Sequence, residues 1–158
     1  MTPEGKKFFA QLQKLAELEV QVGFTAEKAG YGQNHSSVNA SDYEGGTTIA
    51  EVAAWNEFGT YNIPERPFMR QSVDKNGDVI QAMCSEQIKA LVSGKADADK
   101  VMRNIGALQV GLIQHEIKAG GFVKNADSTV KQKGSSTPLY DTGHMRQSVH
   151  YVVKPRKG

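Results

Sequence analysis

Cysteine is almost missing from this 158-residue chain, where Cys84 stands alone. A lone cysteine excludes an internal disulfide and any multi-cysteine metal site, and it fits folding in a reducing cytoplasm with Cys84 as a small core residue. A large excess of one charge is also missing: 19 basic residues face 17 acidic ones, leaving a formal net charge of +2. So weak a field does not draw phosphate backbones or anionic lipid to the molecule as a whole. The Lys154-Pro-Arg-Lys157 stretch is locally basic, but three charges there read first as a solvated segment. No window approaches the roughly 18 apolar residues of a membrane span. Residues 1–14 open with charge and run into Phe8-Phe-Ala-Gln-Leu-Gln-Lys14 without a continuous apolar signal core. The expectation is a protein with no visible export signal and no membrane anchor.

The familiar catalytic signatures are missing too. Neither a Gly-x-x-x-x-Gly-Lys-Ser/Thr phosphate loop nor a Gly-x-Ser-x-Gly nucleophile elbow occurs. The four histidines, His35, His115, His144 and His150, show no metal-ligand spacing such as His-Glu-x-x-His, so the expectation is no metal and no cofactor. Asp141-Thr142-Gly143 matches the Asp-Thr-Gly of aspartic proteases, where two such aspartates share a proton. One chain supplies one copy, in a polar setting rather than an all-β, apolar one. Asp141 therefore reads as a helix N-cap, and the chain as not an enzyme.

What is present is the material of one domain over residues 1–158: 39% hydrophobic and 23% charged residues, with 16 glycines that mark turns and long connections. Phe8, Leu12, Leu15 and Leu18 fall at helical spacing, and Leu18, Val20, Val22 and Phe24 then alternate as a strand. Residues 25–46 are Gly, Ser and Asn rich without periodicity, a long mobile loop in expectation, as are residues 121–138. Thr48-Ile-Ala-Glu51 is a capping box that predicts a helix from Ile49 to Phe58, ended by Gly59. A further helix is expected from Val79 to Val92, with Ile80, Met83, Cys84, Ile88 and Leu91 on one face. Asp97 or Asp99 can cap the next, whose stripe is Val101, Ile105, Leu108, Leu112 and Ile117. Val149, Tyr151 and Val153 alternate as a closing strand. The class is α+β: a small antiparallel sheet packed against a pair of long helices, with long polar loops.

Trp55-Asn-Glu-Phe-Gly-Thr60, followed by Ile63-Pro-Glu-Arg-Pro-Phe-Met-Arg70, is the most distinctive run. Pro67 suits an edge strand or a first helical turn, and a short extended piece is the expectation for 66–70. As structure the run is a corner anchored by Trp55 and Phe58. As an interface it offers aromatic and arginine side chains, the types that dominate binding hot spots.

These two runs, together with Pro138-Leu-Tyr-Asp-Thr-Gly-His-Met-Arg-Gln-Ser-Val149, resemble blocks that occur in the same order in neck and tail-completion proteins of tailed bacteriophages, including the virion-morphogenesis family of Mu-like phages. The resemblance covers roughly residues 49–153. It implies a small α+β protein forming a ring, commonly sixfold, where the tail joins the head or is capped after polymerisation. Its place would be the virion, and the host cytoplasm during assembly. The family offers no catalytic residues to carry over. The implied partners are copies of the chain itself and other neck or tail proteins. Candidate subunit-interface residues are Trp55, Glu57, Phe58, Arg66, Phe68, Arg70 and Arg146, with Thr48 and Asp141 as helix caps. Closing a ring joins two different patches of the same surface and needs no active site. A second reading is a module contacting non-specific DNA in the neck channel through Lys124, Lys131, Lys133, Arg146, Lys154, Arg156 and Lys157. A third is an aspartic-type peptidase acting through Asp141.

Overall fold

The computed structural model describes residues 1–24, 49–119 and 144–158. Thr2 opens helix α1 (Pro3–Ala16): its Oγ1 accepts from the Gly5 amide at 3.1 Å, and Pro3 occupies the first turn, where no amide partner is required. Strand β1 (Leu18–Gly23) follows at once and pairs antiparallel with β2 (His150–Pro155), Leu18 opposite Pro155 and Gly23 opposite His150. Opposed residues of an antiparallel pair point to the same side. Leu18, Val20, Val22, Tyr151 and Val153 therefore share one face, while Glu19 and Lys154 approach to 3.7 Å on the other. The alternations in the sequence are this pleat.

Among the described residues, four further helices lie between the strands: α2 (Ile49–Phe58), α3 (Phe68–Asp74), α4 (Gly77–Val92) and α5 (Ala98–Ala119), with the short α6 (His144–Ser148) leading into β2. The class is α+β. Helix α5 is the spine, in contact with α1, α3, α4, α6 and both strands. The sheet rests on α5 alone of the long pair, since α4 packs on α5 without touching the strands. The pair runs antiparallel: Asn104 Nδ2 donates to Gln87 Oε1 at 2.8 Å, and Lys75, just before α4, pairs with Glu116 near the other end of α5. Asp97 Oδ1 accepts from the Lys100 amide at 2.8 Å and Gln11 of α1 accepts from the Ala98 amide at 2.9 Å, so the first turn of α5 is capped by its own flank and by α1. Asp99, the other capping candidate, instead binds Lys14.

Gly106 is where the sheet meets this spine. A Cβ there would lie 2.7 Å from Tyr151 ring atoms and 2.9 Å from Val20 Cγ2, closer than carbon atoms approach without displacement. Glycine in a helix interior costs roughly 1 kcal/mol relative to alanine, and here it lets the strands approach the helix backbone.

The core lies toward the other end of α5. Ala53, Phe68, Ile113, Ile117, Met145 and Val149 are buried together, with Val22, Phe24, Val52, Met69 and Val110 packed around them. The Phe24 and Phe68 rings meet edge to face, with centroids 6.0 Å apart. Three expectations are corrected. Residues 66–70 do not stay extended, because α3 begins at Phe68, directly after Pro67. Ile88 is 40% exposed and Cys84 only half-buried, so the outer part of the α4 stripe is not core. Ile105, Leu108 and Leu112 are half-buried as well; the fully buried positions of α5 include Val101, Ile113 and Ile117. The stripe read from the sequence is rotated relative to the buried face because Gly106 admits the sheet where a larger residue would have stood.

Candidate functional site

The Trp55–Arg70 run folds into one corner joining α2 to α3, and nearly every residue of its motif has a structural task. Helix α2 cannot continue past Gly59, which stands at φ +72°, and a Cβ on Gly59 would meet the Glu65 amide nitrogen at 3.0 Å. Thr60 shapes the turn that follows: its amide donates to the Ile63 carbonyl at 2.8 Å, and its Oγ1 accepts from the Ile63 amide at 3.1 Å. The returning chain is fastened to α2 at Asn56, whose carbonyl accepts from the Arg66 amide at 2.6 Å and whose Oδ1 accepts from Arg66 Nη1 at 2.9 Å. Asn56 Nδ2 donates to the Val52 carbonyl at 2.8 Å, which fixes the amide's orientation.

Glu57 is the centre of the corner. It is 4% exposed, and its carboxylate accepts from the Met69 amide at 2.8 Å, the Arg70 amide at 3.1 Å and Arg70 Nε at 2.9 Å. Those two amides belong to the first turn of α3, where no intrahelical acceptor exists and where negative charge is favoured. Pro67, in the N-cap position, makes no side-chain cap bond, so Glu57 supplies that function from the preceding helix. Arg70 closes the arrangement: Nη2 donates to the Glu57 carbonyl at 2.8 Å and to the Glu65 carboxylate, and the guanidinium lies 5.6 Å from the Phe58 ring centroid. Hydrogen bonding to Glu65, then to Glu57, raises the Arg70 pKa, while burial lowers that of Arg66; both remain cationic at neutral pH.

This geometry divides the candidate interface residues. Glu57, Arg66 and Phe68 are buried, Phe68 completely, so they build the subunit and cannot themselves meet a partner. Trp55 and Phe58 are 41% and 70% exposed: the corner is anchored by Ala53 and Phe68, not by these two rings as the sequence suggested. Trp55 and Phe58 are three residues apart on α2 and so neighbours on its surface. Tyr61, fully exposed at the tip of the turn, extends the same edge. The sequence reading missed Tyr61; its signal was an aromatic residue set in a Gly-Thr-x-Asn turn between the two motif halves. The Arg70 side chain is half-exposed beside Phe58. Arg146, half-buried on α6, is held separately, its carbonyl accepting from Gln114 Nε2 at 3.1 Å. Thr48 and Asp141, the expected helix caps, lie outside the described residues, as do the loops 25–46 and 121–138 and three of the lysines considered for DNA contact, Lys124, Lys131 and Lys133.

Among the described residues no three His, Cys, Asp or Glu side chains gather as a metal site, and no helix is long and apolar enough to cross a membrane. What the corner presents outward is a set of exposed aromatic side chains, Trp55, Phe58 and Tyr61, on a backbone held by polar bonds to Asn56 and Glu57. Comparison of the chain with protein-family models, with curated proteins and with solved structures finds no match.

Proposed function

We propose that this chain is a structural subunit of a tailed-phage particle, assembling with copies of itself into a closed, sixfold ring at the head–tail junction or the tail end. The ordered resemblance of its three sequence blocks to neck and tail-completion proteins supports the reading. The observation that carries it is the exposed aromatic edge on the α2–α3 corner. Three large aromatic residues exposed side by side on one corner are unfavourable for an isolated subunit and favourable for one that associates. The buried polar network beneath them makes the edge rigid, so little side-chain or backbone freedom is lost when a partner covers it. Ring closure by heterologous contact requires two such patches of different character on one subunit.

The test has two parts. Light scattering of the purified protein across a concentration series reads its assembly state, and reconstruction of particles reads its position and symmetry. Ring-sized species in solution and matching density at the neck or tail end are the expected results. A monomer at every concentration, absent from purified particles, overturns the proposal.

A further inference from the structure

The described residues carry their charge unevenly along α5, a helix of 22 residues and so about 33 Å long. Its N-terminal end is gathered by three contacts. Gln11 accepts from the Ala98 amide, Lys14 pairs with Asp99, and the Arg156 amide donates to the Glu17 carbonyl at 2.7 Å, which brings the basic end of β2 alongside α1. Residues 1–19, 89–105 and 154–158, which surround this end, contain ten basic and five acidic residues. Residues 49–88, 106–119 and 144–153, which surround the other, contain five basic and seven acidic. Among the described residues, one end of α5 is therefore basic and the other mildly acidic, and the aromatic edge belongs to the acidic one.

The basic end also holds a cleft of about 660 Å³ between α1 and the α4–α5 turn, where Phe8, Leu91 and Val92 lie among Lys7, Lys95 and Lys100 and two carboxylates, Glu4 and Asp97. Apolar side chains beside three lysines, which outnumber the two carboxylates of the same cleft, complement an aromatic edge on an end where acidic residues predominate. We propose that the two are mates: the Trp55–Phe58–Tyr61 edge of one copy seats in the α1/α4–α5 cleft of the next, Tyr61 leading. The contact is heterologous, because the two surfaces lie at opposite ends of one subunit. An aromatic residue buries about 150–250 Å² when covered, and a standard interface takes about 800 Å² from each partner, so these partly exposed rings supply roughly half of one side. Opposite fields at the two ends disfavour end-to-end pairing of like surfaces and steer acid to base.

This assignment rests on the reading of the chain as a self-assembling subunit, and the experiment separates the two. In a Cys84→Ser background, Asn62→Cys beside the aromatic edge and Ser93→Cys on the cleft lining are introduced singly and together, leaving Tyr61 and the lysines in place, and a short bismaleimide is added after light scattering has recorded the assembly state. The doubly substituted protein is expected to give a ladder of cross-linked species, and a mixture of the two single variants a dimer only. Lys95→Glu combined with Lys100→Glu should weaken association about tenfold or more, and 500 mM salt should weaken that of the unsubstituted protein. An assembled protein that gives no ladder overturns the docking assignment and leaves the ring reading standing; self-linking of Asn62→Cys alone does the same, by showing a symmetric contact. A monomer throughout overturns both. Retention of duplex DNA by the basic end at 50 mM salt, lost in the double glutamate variant and without any ladder, assigns that end to nucleic acid and overturns the proposal.

Discussion

Replacing Glu57 with alanine removes, in one step, the acceptor for two α3 amides and for one guanidinium N–H, all inside the subunit. Losing a helix cap costs about 1 kcal/mol, and a hydrogen bond to a buried charged group about 1.5–3 kcal/mol. Arg70 keeps Glu65 and the Glu57 carbonyl, and alanine is a slightly better helix former than glutamate, so the losses are partly offset. A net destabilisation of about 3 kcal/mol follows. For a chain of this length each kcal/mol moves the midpoint about 2–4 °C, which gives a fall in Tm of about 6–12 °C. Glu57→Gln keeps one acceptor oxygen but turns an NH2 toward donors, and is expected to recover less than half of the loss. The measurement is thermal unfolding followed by far-ultraviolet circular dichroism, with light scattering on the same samples below the transition. An unchanged Tm accompanied by loss of assembly would show that Glu57 works across an interface, and would refute the assignment of this carboxylate to the interior.

Four further substitutions probe other parts of the structure. Gly106→Ala should destabilise by about 1–2 kcal/mol in urea unfolding, because the collision with Tyr151 and Val20 exceeds the gain in helix propensity. Gly59→Ala should cost about 2 kcal/mol by the same assay, combining left-handed strain with the close Glu65 amide. Tyr61→Ser should leave Tm within about 2 °C while reducing assembly, since the Tyr61 side chain is fully exposed and surface changes away from buried features are small. The hydrogen bond to Asp99, and then its charge, raise the Lys14 pKa above the ordinary 10.5, so the stability this pair adds is fully present below 10.5 and is lost as pH rises through the raised value. The unfolding midpoints of the wild type and Lys14→Met should therefore differ at pH 9 and converge at higher alkaline pH.

Elements with a strong period were legible in the sequence. The alternation of Leu18, Val20 and Val22, answered by Tyr151 and Val153, is the sheet, and the Ile49–Phe58 helix, with Gly59 ending it, stands where its spacing placed it. The start of α3 was not legible, because Pro67 fits an extended segment and a helical first turn equally, and the deciding cap is a carboxylate ten residues earlier in the chain. Trp55 and Phe58 were misread as anchors for a related reason. Most of α2 is apolar on every side, so no stripe marks its inner face, and burial is decided by where Phe68 arrives. In Gly106 the sequence shows only a weak point in a helix; its value depends on strands that lie far away along the chain. Charge was hidden in the same way, since a near-neutral composition says nothing about how the charges are distributed along α5.

The missing side chain at Gly106 acts as a keyway. The Tyr151 ring lies where a side chain at Gly106 would stand, so the rotation of the helix about its axis is set by that notch as well as by greasy contacts further along. Inserting a single residue between Ala98 and Gly106 would turn the notch by about 100° relative to the first turn that Gln11 and Lys14 grip. The two ends of the helix would then demand incompatible orientations. Length variation in this chain should therefore collect in its connecting segments and spare the first two turns of α5.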